Sequence, residues 1–131
     1  MYITPLYAGL LTLLFLALSF RVIGARRSQR ISLGDGNSET MLRRMRAHGN
    51  FAEYAPLALV LMVLLELQQQ PLWVVHMVGV LLLAGRLLHA VGVSTATANA
   101  RVAGMILTFT ALITGALANL AMGSILARFF G

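Results

Sequence analysis

Arg43, Arg46, Asn50 and Glu53 follow one another at i, i+3, i+7 and i+10 within a single segment. On a helix this spacing stacks two cations, an amide and a carboxylate along one stripe, and Tyr54, four residues after Asn50, lies beside it. Arg86 and His89 form another i, i+3 pair late in a second apolar run, and Arg101 opens a third. Arg forks take carboxylates bidentately and a Glu carboxylate takes an ammonium, so the set suits a small zwitterion with more than one carboxylate. The same side chains could instead satisfy one another, Glu53 pairing with Arg46 or Arg86 in an ion-pair network that fixes helix register. Either use would offset the roughly 2.5–3.5 kcal/mol that each ionisable group costs at membrane depth on insertion scales.

The elements that must position these groups are apolar. The 131 residues are 59% hydrophobic and 11% charged, with a mean hydropathy of +0.83. A water-soluble domain of this size could not cover so much apolar surface with so few charges. The net charge of +6 comes with ten basic residues, all Arg. Those charges flank or interrupt long apolar runs, which argues against a nucleic-acid-binding surface. With no Cys, disulfides, thiolate metal sites and a cysteine nucleophile are excluded.

Four stretches meet the length of about 20 residues that a spanning helix needs. The spans are expected over about 4–23, 39–67, 71–93 and 98–129, making one membrane domain over 1–131. Thr4 reads as an N-cap with Pro5 as the first helical residue. The second span includes the polar stretch from Glu39 to Asn50 and so projects beyond the bilayer. Gln68 to Pro71 and Ser94 to Thr97 are short turns, which make consecutive helices antiparallel in an all-α, up-down-up-down four-helix bundle. The long connection, 24–38, contains Arg26, Arg27, Arg30 and the turn-forming Gly34-Asp35-Gly36. The N-terminus lacks the positive region of a cleaved signal, so the first stretch reads as a retained span. Arg21 to Arg46 surround the long loop, Arg86 and Arg101 flank the third, and only Arg128 lies at the other end. The positive-inside rule then places this loop end in the cytoplasm and both termini outside.

Other polar residues read more simply. His48 lies on the face opposite Arg46 and reads as a capping or interfacial residue. His76 and Glu66 fall near the outer ends of their spans, as interfacial residues that could pair. The three His do not share metal-ligand spacing, so no metal site is expected. Ala111, Gly115 and Asn119 make a small-residue stripe suited to a helix or subunit interface. Arg21 to Arg30 could serve orientation and contact with lipid headgroups.

The run from Arg46 through Asn50, Glu53 and Tyr54 to Pro56 resembles the signature of the MAPEG family, the membrane-associated proteins of eicosanoid and glutathione metabolism. Ala25-Arg26-Arg27 with Arg30, then Arg86 and Arg101, extend the resemblance over nearly the whole chain. It is closest to the small bacterial inner-membrane branch, in which Gly34-Asp35-Gly36 and His48-Gly49-Asn50 also occur. The resemblance implies a homotrimer binding glutathione between subunits near the cytoplasmic face. It places Arg46, Asn50, Glu53 and Tyr54 on glutathione's polar groups, with Arg26 reaching in from a neighbour and Arg86 and His89 in the same binding set. Arg101 matches the arginine that holds the thiol as thiolate, and Arg27 one near the acceptor. An adjacent guanidinium does favour a thiolate.

Family enzymes often carry Tyr where this chain has Val93, and some carry Tyr at His89 where others have His. The expected activity is a glutathione-dependent transferase or peroxidase acting on hydrophobic electrophiles or lipid hydroperoxides, which enter from the bilayer. The competing expectation is a non-catalytic membrane protein that keeps the fold. A small multidrug-type transporter would place a carboxylate in the first span, and 4–23 has none.

Overall fold

The computed structural model describes residues 2–130, with side chains described for 2–121; the side chain of Arg128 lies outside the described residues. It contains α1 (Thr4–Gln29), α2 (Glu39–Leu67), α3 (Leu72–Ser94) and α4 (Ala98–Phe130). All four have segments long and apolar enough to cross a membrane. Their outward surfaces support that reading: Leu6, Leu13, Phe20, Leu57, Val80, Ile106 and Ile113 are all exposed. Such continuous apolar exposure is not what a water-soluble monomer tolerates.

The helices are antiparallel to their chain neighbours. The start of α1 meets the end of α2 through Ile3 and Glu66, while its far end meets α2 where Arg44 Nη1 donates to the Arg21 carbonyl at 2.9 Å. Helix α3 is the centre of the bundle, burying Val75, Val78, Leu82 and the larger Arg86. Helices α1 and α4 both pack on α2 and α3 and do not meet each other among the described residues.

Helix α1 continues past the apolar stretch to Gln29, so Arg26 and Arg27 lie on its last turn rather than in the connection. It ends where Arg30 turns left-handed (φ 54°) and the Ile31 N–H reaches back to the Arg26 carbonyl at 3.0 Å, a closure that serves the orphan carbonyls of a helix end. The remaining connection turns at Gly34 and Gly36, both at positive φ. Ser38 then caps α2 by accepting the Met41 N–H at 3.2 Å.

The start of α1 differs from the sequence reading. Ile3, not Thr4, is the N-cap residue and makes no side-chain cap. The acceptor comes from α2: the Glu66 carboxylate takes the N–H groups of Ile3 and Thr4, the latter at 2.8 Å. A carboxylate at a helix N-terminus meets both its unsatisfied donors and its positive dipole end. Glu66 is therefore not paired with His76, whose Nδ1 instead meets the Tyr7 hydroxyl at 3.0 Å. Tyr7 fits against α3 because Gly79 has no Cβ to occupy the space of its ring.

The Ala111–Gly115–Asn119 stripe packs α4 within its own chain. Ala111 is fully buried, a Cβ on Gly115 would lie 3.3 Å from Leu61 Cβ, and Asn119 Nδ2 donates to the Leu61 carbonyl at 3.1 Å. His48 joins α2 to α1, with Nε2 3.0 Å from Ser19 Oγ and its ring stacked on Phe15 at 4.7 Å.

Candidate functional site

Helices α3 and α4 touch backbone to backbone at the arginine-rich end. A Cβ on Gly92 would collide with the backbone of Ala100 and Arg101, and one on Gly104 with the backbone of Gly85 and His89. This close approach brings the start of α4 beside the end of α3. A cleft of about 550 Å³ opens between that corner and the first turns of α2, walled by residues that include Arg43, Arg46, Asn50, His89, Val93 and Arg101. Its size falls within the range of small-molecule sites, about 300–1,000 Å³.

The wall is cationic. Arg43, Arg46 and Arg101 face one carboxylate, Glu39, and Glu39 is already paired with Arg43 one turn along the helix. Arg46 and Arg101 are exposed and their side chains have no partner among the described residues. His89 is buried to 6% exposure, yet its ring lines the cleft without a hydrogen-bond partner among the described residues. The cleft thus offers two free guanidinium forks and an imidazole at its surface, an arrangement matched to an anionic ligand.

Arg86 lies behind this wall, 1% exposed. Its Nη1 donates to Asn50 Oδ1 at 2.7 Å and to the Asn50 carbonyl at 3.3 Å. Its Nε and Nη2 both donate to Thr108 Oγ1, at 3.0 and 2.7 Å, and Nη2 also meets Met105 Sδ at 3.5 Å. The Tyr54 ring lies 5.7 Å from the guanidinium carbon and edge-on to Phe109. Arg86 and Tyr54 are therefore supports of the wall and not part of its surface.

The ion-pair network considered for Glu53 is not the arrangement found. Glu53 is exposed and pairs with neither Arg46 nor Arg86; the one salt bridge among the described residues is Glu39–Arg43. Along the α2 stripe, burial rises from Glu53 and Arg46, both exposed, through half-buried Asn50. The stripe's inner edge meets α3, whereas its outer edge, with Glu53, faces away from the bundle. Arg26 and Arg27 are also outside the cleft: Arg26 donates to the carbonyls of Ser32 and Gly34 at 3.4 and 3.2 Å, and Arg27 is exposed without a side-chain partner among the described residues.

The sequence model of the MAPEG family matches residues 4–121. The chain belongs to the MAPEG family. It is 41% identical over 118 residues, 90% of each chain, to the inner membrane protein YecN of Escherichia coli K12. It matches the protein of that name from Escherichia coli O6:H1 to the same extent. No solved structure matched. For a MAPEG protein, the cleft brings together Arg46, Asn50, His89 and Arg101 from the residues singled out by the sequence. Sequence reading missed Thr108 and the glycines Gly85, Gly92 and Gly104. The seven-residue spacing of Gly85 and Gly92 on α3 is the signal that could have marked that seam.

Proposed function

We propose that this MAPEG protein is a glutathione-dependent transferase or peroxidase of the bacterial inner membrane, acting on hydrophobic electrophiles or lipid hydroperoxides. The observation that carries the reading is the cationic cleft whose wall holds Arg46 and Arg101, unpaired among the described residues, together with Asn50 and His89. Glutathione has two carboxylates, and two unpaired guanidinium groups match that demand. Arg101 is the group assigned to hold the thiol as thiolate, because an adjacent cation favours the charged sulfur. In a transfer, the thiolate sulfur bonds to the electrophilic carbon, and a leaving group departs with its electron pair or the adduct takes a proton. In a peroxidase turn, two glutathiones reduce one hydroperoxide to an alcohol and water and are oxidised to the disulfide.

The reading includes a homotrimer. Glu53, exposed and unpaired on the outer edge of the stripe, is then free to take glutathione's ammonium at a subunit boundary, with Arg26 and Arg27 supplied by a neighbour. Positive-inside orientation puts the cleft in the cytoplasm, where glutathione is present, and both termini in the periplasm. The relatives named as inner membrane proteins support that location.

A second reading keeps glutathione-type binding without catalysis. Val93 favours it, since an apolar side chain lines the cleft where related enzymes often present a hydroxyl.

The deciding experiment measures thiolate absorbance on adding glutathione to the detergent-purified protein and to Arg101→Ala. Removing one donor from a developing-anion site typically costs about 10²–10³ in rate. Arg101→Ala should lose the thiolate signal and turnover by that order with an unchanged melting temperature, because Arg101 is exposed and unpaired. Turnover by inside-out vesicles but not by right-side-out vesicles, with glutathione added outside, is the expected orientation result. Absence of binding at millimolar glutathione would end this reading. Binding with no thiolate would leave the non-catalytic one standing.

A further inference from the structure

We infer that Thr108 and Arg86, neither of which lines the cleft, act as positioning residues that turn the Asn50 amide into a fixed donor for a ligand carboxylate. The inference rests on the glutathione reading and specifies how one anionic group is selected.

An Arg guanidinium has five N–H donors and no acceptor. In Arg86 they are engaged by Thr108 Oγ1, the Asn50 side-chain and main-chain oxygens, and Met105 Sδ. No donor is left for a ligand. Because Arg86 only donates, the Asn50 side chain must turn its oxygen toward it, and the amide nitrogen is left for the cleft that Asn50 lines. The Asn50 contribution to the wall is then two N–H groups, which accept nothing and favour an anion.

Thr108 holds the guanidinium in that pose. Its hydroxyl accepts from Nε and Nη2 of Arg86 and donates to the Gly104 carbonyl at 2.8 Å, which uses its one donor and both lone pairs. Thr108 is fully buried, and the socket exists because α3 and α4 are close: a Cβ on Gly85 would lie 2.7 Å from Thr108 Oγ1 and 2.9 Å from the Gly104 carbonyl oxygen. Every hydrogen-bond partner of Arg86 is neutral, and no described carboxylate pairs with it. A buried cation without a countercharge is costly, and a carboxylate held by Asn50 would sit one side chain away from it.

The test is calorimetric titration of the full-length protein with an S-alkyl glutathione, whose blocked sulfur removes the thiolate from the measurement. Thr108→Val deletes the hydroxyl with little change of shape. It should weaken binding about tenfold, the weight of one hydrogen bond to a charged group. Thr108→Ser should stay within about twofold of wild type, since it restores the hydroxyl. Asn50→Asp puts an acceptor in place of the donors and pairs with Arg86, so its loss should exceed that of Thr108→Val and serves if the latter fails to fold. The Thr108→Val loss should disappear for one of the two glutathione monoesters, the one esterified at the carboxylate that Asn50 holds. A general packing defect would penalise the free acid and both monoesters alike. Equal penalties, or wild-type affinity in Thr108→Val or Asn50→Asp, would overturn the inference while leaving the glutathione reading intact. No binding by wild type would overturn both.

Discussion

At the end of the bundle opposite the cleft, Glu66, Tyr7, His76 and Asn119 are consumed by the fold. The Glu66 carboxylate closes the start of α1, and Tyr7 and His76 join α1 to α3. Asn119 accepts from Gln68 Nε2 at 2.6 Å and donates to the carbonyls of Leu61 and Gly115. At the arginine-rich end Arg21, Arg26 and Arg44 are also bonded into the fold, but other charges are not. Arg27, Arg46, Glu53 and Arg101 are all exposed without a side-chain partner among the described residues. No hydrogen bond or ion pair among the described residues ties these side chains into the fold. The comparison separates polar residues that hold helices together from polar residues kept available. Within the arginine end, Arg86 belongs to the first kind by its bonds and serves the second by its position.

The largest expected effect that tests this division is on stability, at the end without the cleft. Glu66→Ala leaves the first N–H groups of α1 without their acceptor. It should cost about 2 kcal/mol, the upper end for loss of a helix cap and in keeping with hydrogen bonds to a charged group. Thermal or denaturant unfolding in detergent reads that loss. Glutathione affinity should be unchanged, because Glu66 lies at the far end of α2 from Arg46. A loss of affinity as large as the loss of stability would show that the two ends are coupled.

At the cleft the balance should reverse. Val93→Tyr restores a hydroxyl to the wall where related enzymes often have one. A gain of several-fold in glutathione affinity or thiolate formation is expected, about one neutral hydrogen bond at 0.5–1.5 kcal/mol, with little change in melting temperature. Binding titrations and thiolate absorbance together decide it. A destabilised protein with no gain would mean that the contact of partly buried Val93 with the core outweighs the added hydroxyl, and the cleft would then share the character of the opposite end.

These two ends were not equally legible in the sequence. The spans followed from hydropathy, and the i, i+3, i+7, i+10 stripe identified α2 as the helix bearing polar groups, because both signals are local and repeat with the helix. The stripe did not reveal which edge is buried. Asn50 bonds to α3, Arg46 lines the cleft and Glu53 lies exposed outside it, a difference set by where α3 packs. The Glu66 cap was missed for a similar reason: its acceptor and donors are 62 and 63 residues apart, and Thr4-Pro5 offered a plausible local cap. Thr108 carries no periodic signal at all. A threonine in an apolar helix usually returns its hydroxyl to its own backbone, as Thr110 does at 2.8 Å. Only the closeness of α3, permitted by Gly85 and Gly104, gives Thr108 a second use.

Glu39 and Arg43 sharpen the comparison most finely, since they are a satisfied pair on the wall of the cleft. If pairing alone marked a structural role, removing it should be felt in stability. Yet the pair is i, i+4 on an exposed first turn, with Glu39 76% exposed in its side chain, and such pairs contribute only about 0.3–0.5 kcal/mol. Glu39 also favours the helix start as an acidic residue in the first turn of α2, and Ser38 remains as the cap in its absence. Glu39→Gln should therefore lower stability by no more than about 0.5 kcal/mol. Its removal also takes the one carboxylate from the cleft wall and releases Arg43, so affinity for a glutathione thioether should rise, by about twofold at moderate salt and less as screening increases. Calorimetry at two ionic strengths measures both the rise and its decline. A fall in affinity would place Glu39 among the groups that hold the ligand's ammonium, and the carboxylate expected at Glu53 would then have a competitor within the cleft itself.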